Sequence, residues 1–141
     1  MYFILFLKYY LFNILIMSDI VLKDESYTII GICMDVHNQL GAGFLEIVYK
    51  DALEYEFRKG NIPFEREKEY VVNYKGIVLP HRFYADFVVY DGIILEVKGV
   101  SSIPEGFVAQ CINYLKVSQN KLALLVNFGE IRLNYKRILL G

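Results

Sequence analysis

Apolar residues recur with helical spacing in two consecutive segments, residues 25–40 and 44–59. On the first segment, one face carries Ile29, Ile30, Cys33, Val36 and Leu40. On the second, the apolar stripe consists of Leu45, Val48, Tyr49, Ala52, Leu53 and Phe57. Gly41-Ala42-Gly43 separates the two segments, so the pattern predicts two amphipathic helices with a break between them.

The chain after these helices alternates between strand-like and helix-like patterns. Segments rich in β-branched and aromatic residues predict strands at 64–74, 82–90 and 93–99. Pro104 opens a helix that extends to about Val117, and predicted strands follow at 122–126 and 131–138. Because parallel strands need a crossover, the helix before 122–126 implies a parallel pair. The predicted class is α/β, with a mixed central sheet flanked by helices.

The first sixteen residues differ in composition from the rest. After Met1 they consist only of Phe, Leu, Ile, Tyr, Asn and Lys, the residue types that codons made of A and T can encode. We expect residues 1–16 to arise from translation at an upstream start in AT-rich DNA. A membrane-associated helix is the alternative, although Lys8 interrupts the run and the run is short for a membrane span. The predicted organisation is this leader followed by a single domain, residues 17–141, with no membrane segment.

The charges of the chain are nearly balanced, with a formal net charge of −1 over 141 residues. This balance gives no overall attraction for nucleic acid or for an anionic membrane. Nucleic-acid binding would need a local patch, and the candidates, which fit a solvated surface equally well, are Lys50, Arg58, Lys59, Arg66, Lys68 and Arg82. Cys33 and Cys111 lack CxxC spacing, so we expect reduced core thiols in a cytoplasmic protein.

Three charged residues interrupt the most strand-like part of the chain, the predicted hairpin that ends at Lys98. Burying an ionised group is costly unless it is paired or binds a metal, so Asp86, Glu96 and Lys98 are unusual in these strands. Glu96 and Lys98 share a face because side chains alternate along a strand. If Asp86 joins them, two carboxylates and an ammonium meet on one face, which predicts a metal-dependent hydrolytic site.

The loop of this hairpin decides whether the three residues meet. A three-residue loop, Tyr90-Asp91-Gly92 with Gly92 left-handed and a bulge, places Asp86 opposite Glu96. A two-residue Asp-Gly turn places Asp86 opposite Val97 instead. We expect the three-residue loop, because the alternative buries charges on both faces.

Two helices carry further candidate residues. At about 100° per residue, Glu46 falls on the side of Leu53 and Phe57, so we expect it to point inward. The helix dipole explains a carboxylate in the first turn but not its inward direction. In the third helix, Gln110 and Tyr114 are four residues apart and therefore share a face.

The run Gly43-Phe44-Leu45-Glu46-Ile47-Val48-Tyr49 resembles the motif that names the GxxExxY family, a branch of the PD-(D/E)XK nuclease superfamily. The resemblance covers residues 25–138 and continues through Asp86, Glu96-Val97-Lys98, the RecB-like QxxxY pair of Gln110 and Tyr114, and Leu-Val-Asn-Phe-Gly at 125–129. It implies an αβββαβ core with an extra N-terminal helix and with the site on the sheet.

The resemblance also implies a set of roles. Asp86 and Glu96 would supply oxygen ligands to Mg²⁺ or Mn²⁺, and the Val97 backbone carbonyl would complete the inner shell. Lys98 would orient the attacking water or stabilise the transition state, and Glu46 would join through a second metal or a water. The QxxxY pair would position the phosphate backbone or the lysine side chain.

Three functions follow from these patterns. The first is a metal-dependent nuclease that acts on DNA rather than RNA. Specific DNA interfaces usually bury at least ~1,000 Å² of protein, so a chain this small would act as a homodimer or with a partner protein. The second is a catalytically silent binding or regulatory module with the same fold. The third is a structural domain with an incidental buried ion-pair cluster.

Overall fold

The structure is a computed structural model that describes residues 1–140, with the side chains of residues 1–13 and 22–140. Over this part of the chain, three helices and five strands follow one another in the predicted order. Their bounds are α1 Tyr2–Leu40, α2 Glu46–Lys59, β1 Phe64–Tyr74, β2 Ile77–Val89, β3 Ile93–Lys98, α3 Glu105–Ser118, β4 Leu122–Asn127 and β5 Asn134–Leu139.

Helix α1 is longer than the apolar stripe at residues 25–40 predicts, because it already begins at Tyr2. The large apolar side chains between Tyr2 and Phe12 are exposed. No helix in the described ranges combines the length and the apolar character that a membrane crossing requires. The origin of residues 1–16 by upstream translation stays a prediction.

Strand β2 begins five residues before the predicted start at residue 82, and the reason lies in the turn that precedes it. Lys75 and Gly76 have φ values of 49° and 83°, in the left-handed region. A pair of left-handed residues makes a tight hairpin turn, so the partner strand starts directly after it. Tyr74 and Ile77 therefore already face each other across the hairpin.

The five strands form one mixed sheet in the order β1-β2-β3-β4-β5. β3 and β4 are parallel, and the other three pairs are antiparallel. The parallel pair is the one that the α3 crossover predicts. The predicted fold, a helix-flanked mixed sheet with the αβββαβ order and an additional N-terminal helix, is confirmed.

The core lies on both faces of the sheet. Helices α1 and α2 cover one face, where Leu53 and Phe57 pack with Phe87 and Leu95. Helix α3 covers the other face through a cluster that includes Leu115. Every residue of β4 is buried, as the continuous apolar run at 122–126 predicts.

The β2–β3 loop has the predicted length. Val89 is opposite Ile93 and Phe87 is opposite Leu95, which leaves Tyr90-Asp91-Gly92 as a three-residue loop. The prediction of a left-handed Gly92 with a bulge is wrong. Tyr90 and Asp91 are the left-handed residues, with φ of 55° and 59°. The Gly92 N–H closes this turn on the Val89 carbonyl at 3.3 Å, and two positive φ angles in such a turn match the twist of the strands.

Candidate active site

The regular backbone pairing between β2 and β3 ends at Phe87 and Leu95. Beyond this point, two side-chain carboxylates accept backbone N–H groups of the opposite strand. The Asp86 N–H donates to Glu96 Oε1 at 3.0 Å. The Val97 N–H donates to Asp86 Oδ2 at 2.8 Å. Each carboxylate is therefore tied to the backbone of the opposite strand. We call this arrangement of Asp86, Glu96 and Val97 the fork.

Burial raises the pKa of one carboxylate of the fork, that of Glu96. Glu96 is only 2% exposed. Its burial, and then the charge of Asp86, raise the pKa of Glu96 to about 8. Two carboxylates in contact, one of them nearly excluded from water, form a donor set that suits a hard divalent cation, because the cation would offset the charges that repel each other.

Lys98 lies two residues beyond Glu96 at the end of β3, and α3 holds its ammonium group. Lys98 Nζ donates to Gln110 Oε1 at 3.4 Å and lies 4.4 Å from the centre of the Phe107 ring. Both contacts come from the first two turns of α3. The structure therefore brings Lys98 and Gln110 together, and the role of this pair in the reaction stays a prediction.

Tyr114, one turn further along α3, lies in the apolar layer behind the fork. It is 6% exposed and packs edge-to-face on Phe83, with 5.8 Å between ring centres. Burial, followed by the charges of Glu96 and Asp86, raises the pKa of the Tyr114 hydroxyl. The tyrosine hydroxyl therefore stays protonated.

Glu46 is exposed, and the prediction that it points inward is wrong. Helix α2 begins at Glu46, and its buried residues are Tyr49, Leu53 and Phe57. The helical period gives the direction of a side chain around the axis, but the first turn of α2 extends beyond the core, so that direction leads to water. Glu46 Oε1 nevertheless accepts the Gly99 N–H at 3.3 Å, next to Lys98.

The three predicted carboxylates do not form one metal site. In the described residues, no three histidine, cysteine, aspartate or glutamate side chains lie close enough to hold a common ion. Asp86 and Glu96 meet at the fork, whereas Glu46 contacts the backbone after Lys98. The assignment of the Val97 carbonyl as a ligand stays a prediction.

Lys50 belongs to this site, although the sequence analysis places it with the candidate surface patch. Its Nζ is 2.9 Å from Asp86 Oδ1 and also pairs with Glu67. Burial acts to lower the pKa of Lys50, but the hydrogen bonds to Glu67 and Asp86 outweigh this effect and raise it. The only sequence signal is the spacing of four residues from Glu46, which puts both on one side of α2.

Four of the other five residues of the candidate basic patch are also paired. Arg66 contacts Asp51 and Glu54, at 2.7 and 2.9 Å. The further ion pairs are Arg58 with Glu54, Lys68 with Glu65 and Arg82 with Glu69. Carboxylates thus neutralise most of the residues that could have attracted a phosphate backbone.

Asn127, the polar residue of the Leu-Val-Asn-Phe-Gly run at 125–129, holds the segment that follows Lys98. Its side chain accepts the Val100 N–H at 3.0 Å and donates to the Val100 carbonyl at 2.8 Å. The Phe128 N–H donates to the Lys98 carbonyl at 2.8 Å. A polar residue at the end of the apolar run 122–126 is the signal that could have revealed this brace.

Comparisons with known proteins identify the superfamily of the chain. A family model of the PD-(D/E)XK nuclease superfamily matches residues 23–138. The chain belongs to this superfamily. The assignment to its GxxExxY branch remains a resemblance carried by residues 43–49. None of the curated proteins compared with the chain matches it.

One solved structure supports the same fold. The crystal structure of SSO0001 is similar to this chain with a TM-score of 0.53 and 22% sequence identity. The match covers 65% of this chain and 48% of the SSO0001 chain, so the match spans about half the length of that protein.

Proposed function

We propose that the protein is a metal-dependent phosphodiester hydrolase, a nuclease that acts on DNA. The observation that supports this proposal best is the fork, where Asp86 and Glu96 meet across β2 and β3 while Lys98 lies two residues further on. Membership of a nuclease superfamily supports the reaction class. The metal is inferred from the chemistry of the donors, and the nucleic-acid substrate from the superfamily.

The fork and Lys98 would have different roles in the reaction. Asp86 and Glu96 would hold Mg²⁺ or Mn²⁺, since hard oxygen ligands suit these ions. When bound, the metal lowers the pKa of a water molecule and offsets charge on the phosphate. Lys98 would orient the attacking water or stabilise the negative charge that grows in the transition state.

Helices α2 and α3 would position these groups. Gln110 holds the Lys98 ammonium group by its carbonyl oxygen, and Tyr114 keeps an apolar, water-poor layer behind the carboxylates. Glu46 would fix the backbone at Gly99 or bind a second metal through water. The free, buried thiols of Cys33 and Cys111 support a cytoplasmic location.

A catalytically silent binding or regulatory module is the second candidate. Two observations favour it: five of the six residues of the candidate basic patch pair with carboxylates, and Lys50 already occupies one oxygen of Asp86. A silent module would bind nucleic acid or a protein without cutting any substrate. A homodimer or a partner protein would supply the additional surface that DNA binding needs.

The decisive experiment is a cleavage assay with the purified full chain. Single-stranded, duplex and branched DNA and RNA are incubated with Mn²⁺ or Mg²⁺, with Lys98→Ala alongside and with light scattering to measure the oligomeric state. The nuclease proposal predicts metal-dependent cleavage that Lys98→Ala abolishes. It fails if no substrate is cut and Mn²⁺ binding does not depend on Asp86 or Glu96. Binding without cleavage would support the silent module.

A further inference from the structure

Lys50 and Glu67 form a charged pair directly against the fork. Lys50 Nζ lies 2.9 Å from Asp86 Oδ1, and the same ammonium group pairs with Glu67. The Lys50 side chain is 12% exposed, whereas the Glu67 side chain is 48% exposed. The ammonium group therefore bridges a carboxylate of the candidate metal site and one that reaches water.

The backbone of β1 has an unusual conformation at Glu67, next to this bridge. Glu67 has a φ of 53°, which is uncommon for a residue other than glycine. Its neighbours Arg66 and Lys68 pair with Phe87 and Ala85, so the irregular residue is the one next to Asp86. Such a strained conformation persists only where the surroundings enforce it, and here the enforced contact is the one to Lys50.

Lys50 and a divalent ion would compete for the same oxygen. An ammonium group at hydrogen-bond distance from Asp86 Oδ1 fills the space on that side of the carboxylate and repels a second cation. A divalent ion attracts two carboxylates more strongly than a single ammonium does, so it can displace Lys50 from Asp86. Glu67 then offers the displaced ammonium group a partner that it already contacts.

We propose that Lys50 is the counter-cation of Asp86 in the absence of metal, and that a divalent ion displaces the Lys50 ammonium group toward Glu67. Lys50 and Glu67 thereby set the metal affinity of the site. The inference rests on the proposed function, because it requires that Asp86 and Glu96 bind a metal. It adds two residues, one from α2 and one from β1, that tune binding without touching the metal.

The test measures Mn²⁺ binding to the full chain by isothermal titration calorimetry, without nucleic acid. Lys50→Met removes the competing cation and is expected to tighten Mn²⁺ binding about fivefold, the upper end of the scale for one such ion pair. Glu67→Gln removes the alternative partner and is expected to weaken binding several-fold. Lys59→Met, on the exposed last turn of the same helix, is the matched control and leaves the affinity unchanged.

A second variant at Lys50 keeps the test valid if Lys50→Met does not fold. Lys50→Gln keeps a polar side chain without the charge, and its Mn²⁺ affinity is also expected to exceed that of the wild type. Thermal unfolding followed by circular dichroism checks that each variant is folded. Equal or weaker binding by a folded Lys50→Met or Lys50→Gln protein overturns the inference.

Asp86→Asn separates this inference from the proposed function. If the wild type binds Mn²⁺ and Asp86→Asn does not, the metal site stands, and the Lys50 variants alone decide the role of the counter-cation. If neither the wild type nor any variant binds Mn²⁺, the metal site and the counter-cation are both refuted.

Discussion

The fork and the first two turns of α2 both bring charged side chains to the end of β3, but they hold them differently. At the fork, Asp86 and Glu96 each accept a backbone N–H from the opposite strand. On α2, Glu46 is exposed and has one long contact to Gly99, and Lys50 is held by charged side chains alone. The sheet therefore fixes its groups by its own backbone, whereas the helix offers groups that can move.

Because of this difference, we expect different roles for the two regions. Chemistry that needs a fixed geometry is expected at the fork, because the position of a group in a strand is determined by the sheet. Adjustment of charge is expected at α2, because a lysine between two carboxylates can change partner without a change in the fold. Substitutions at the fork should accordingly have larger effects than substitutions on α2.

The largest expected effect is that of Lys98→Ala on catalysis. Loss of a preorganised charge near the reacting phosphate should reduce cleavage by about 10²–10³-fold. Mn²⁺ binding and folding should persist, because Lys98 contacts Gln110 rather than the carboxylates. Single-turnover cleavage of a labelled substrate measures the effect, with Lys116→Ala on the exposed side of α3 as the control. Cleavage at the wild-type rate by the Lys98 variant would contradict a role for Lys98 in the reaction.

The second expected effect concerns Gly129, in the loop that follows β4, which packs closely against the segment after Lys98. A Cβ at Gly129 would lie 2.3 Å from the Val100 carbonyl oxygen and 2.4 Å from its nitrogen. Because backbone atoms cannot give way cheaply, Gly129→Ala should lower the free energy of unfolding by roughly 2–4 kcal/mol. Urea denaturation measures this loss.

Gly106 provides the matched glycine for that comparison. A Cβ at this helical position meets no atom within 4 Å. Gly106→Ala should therefore stabilise the protein by roughly 0.5–1 kcal/mol, since alanine loses less backbone entropy in a helix. If the two variants lose stability equally, the close approach behind the fork is not what makes Gly129 sensitive.

The third prediction uses the buried carboxylate of the fork. Because the folded pKa of Glu96 is raised to about 8, the protonated form is the one that the fold favours. Its contribution to stability is full below the ordinary glutamate pKa and is lost as the pH rises through 8. In metal-free buffer, the difference between wild type and Glu96→Gln in the free energy of unfolding should shift by at least about 1 kcal/mol between pH 5 and pH 9, in favour of the variant at pH 9.

Urea titrations with EDTA at both pH values measure this difference. The matched control is Glu46→Gln on α2, where the carboxylate is exposed to water. An equal dependence on pH for the wild type and for Glu96→Gln would mean that burial at the fork does not govern the titration of Glu96.

The parity of the β2–β3 hairpin follows from the sequence, so the meeting of Asp86 and Glu96 can be predicted from it. Alternation along a strand is a local property, so the sequence determines that Asp86 and Glu96 face each other once the loop length is chosen. The helix–strand order also follows from local patterns. The backbone conformation within the loop has no comparable periodic signal, and the left-handed residues are Tyr90 and Asp91 rather than Gly92.

The contacts of α2 could not be predicted in the same way. The helical period places Glu46 and Lys50 around the axis, but the depth of each depends on where the core ends along the helix. The partner of Lys50 is Glu67, a residue on another element whose unusual φ has no signal in the sequence. Tertiary packing, rather than pattern, determines which helix charges reach the site.

The smallest expected effect is that of Glu46→Ala, which also tests the comparison most sharply. An exposed hydrogen bond contributes about 1 kcal/mol, so the loss of its contact to Gly99 should reduce cleavage only a few-fold and hardly alter stability. Glu105→Ala, which removes an exposed carboxylate from the first turn of α3, is the control. A loss as large as that of Lys98→Ala would show that Glu46 moves to bind metal during the reaction. In that case the first turn of α2 would belong to the chemistry, and the division between a fixed sheet and an adjustable helix would fail.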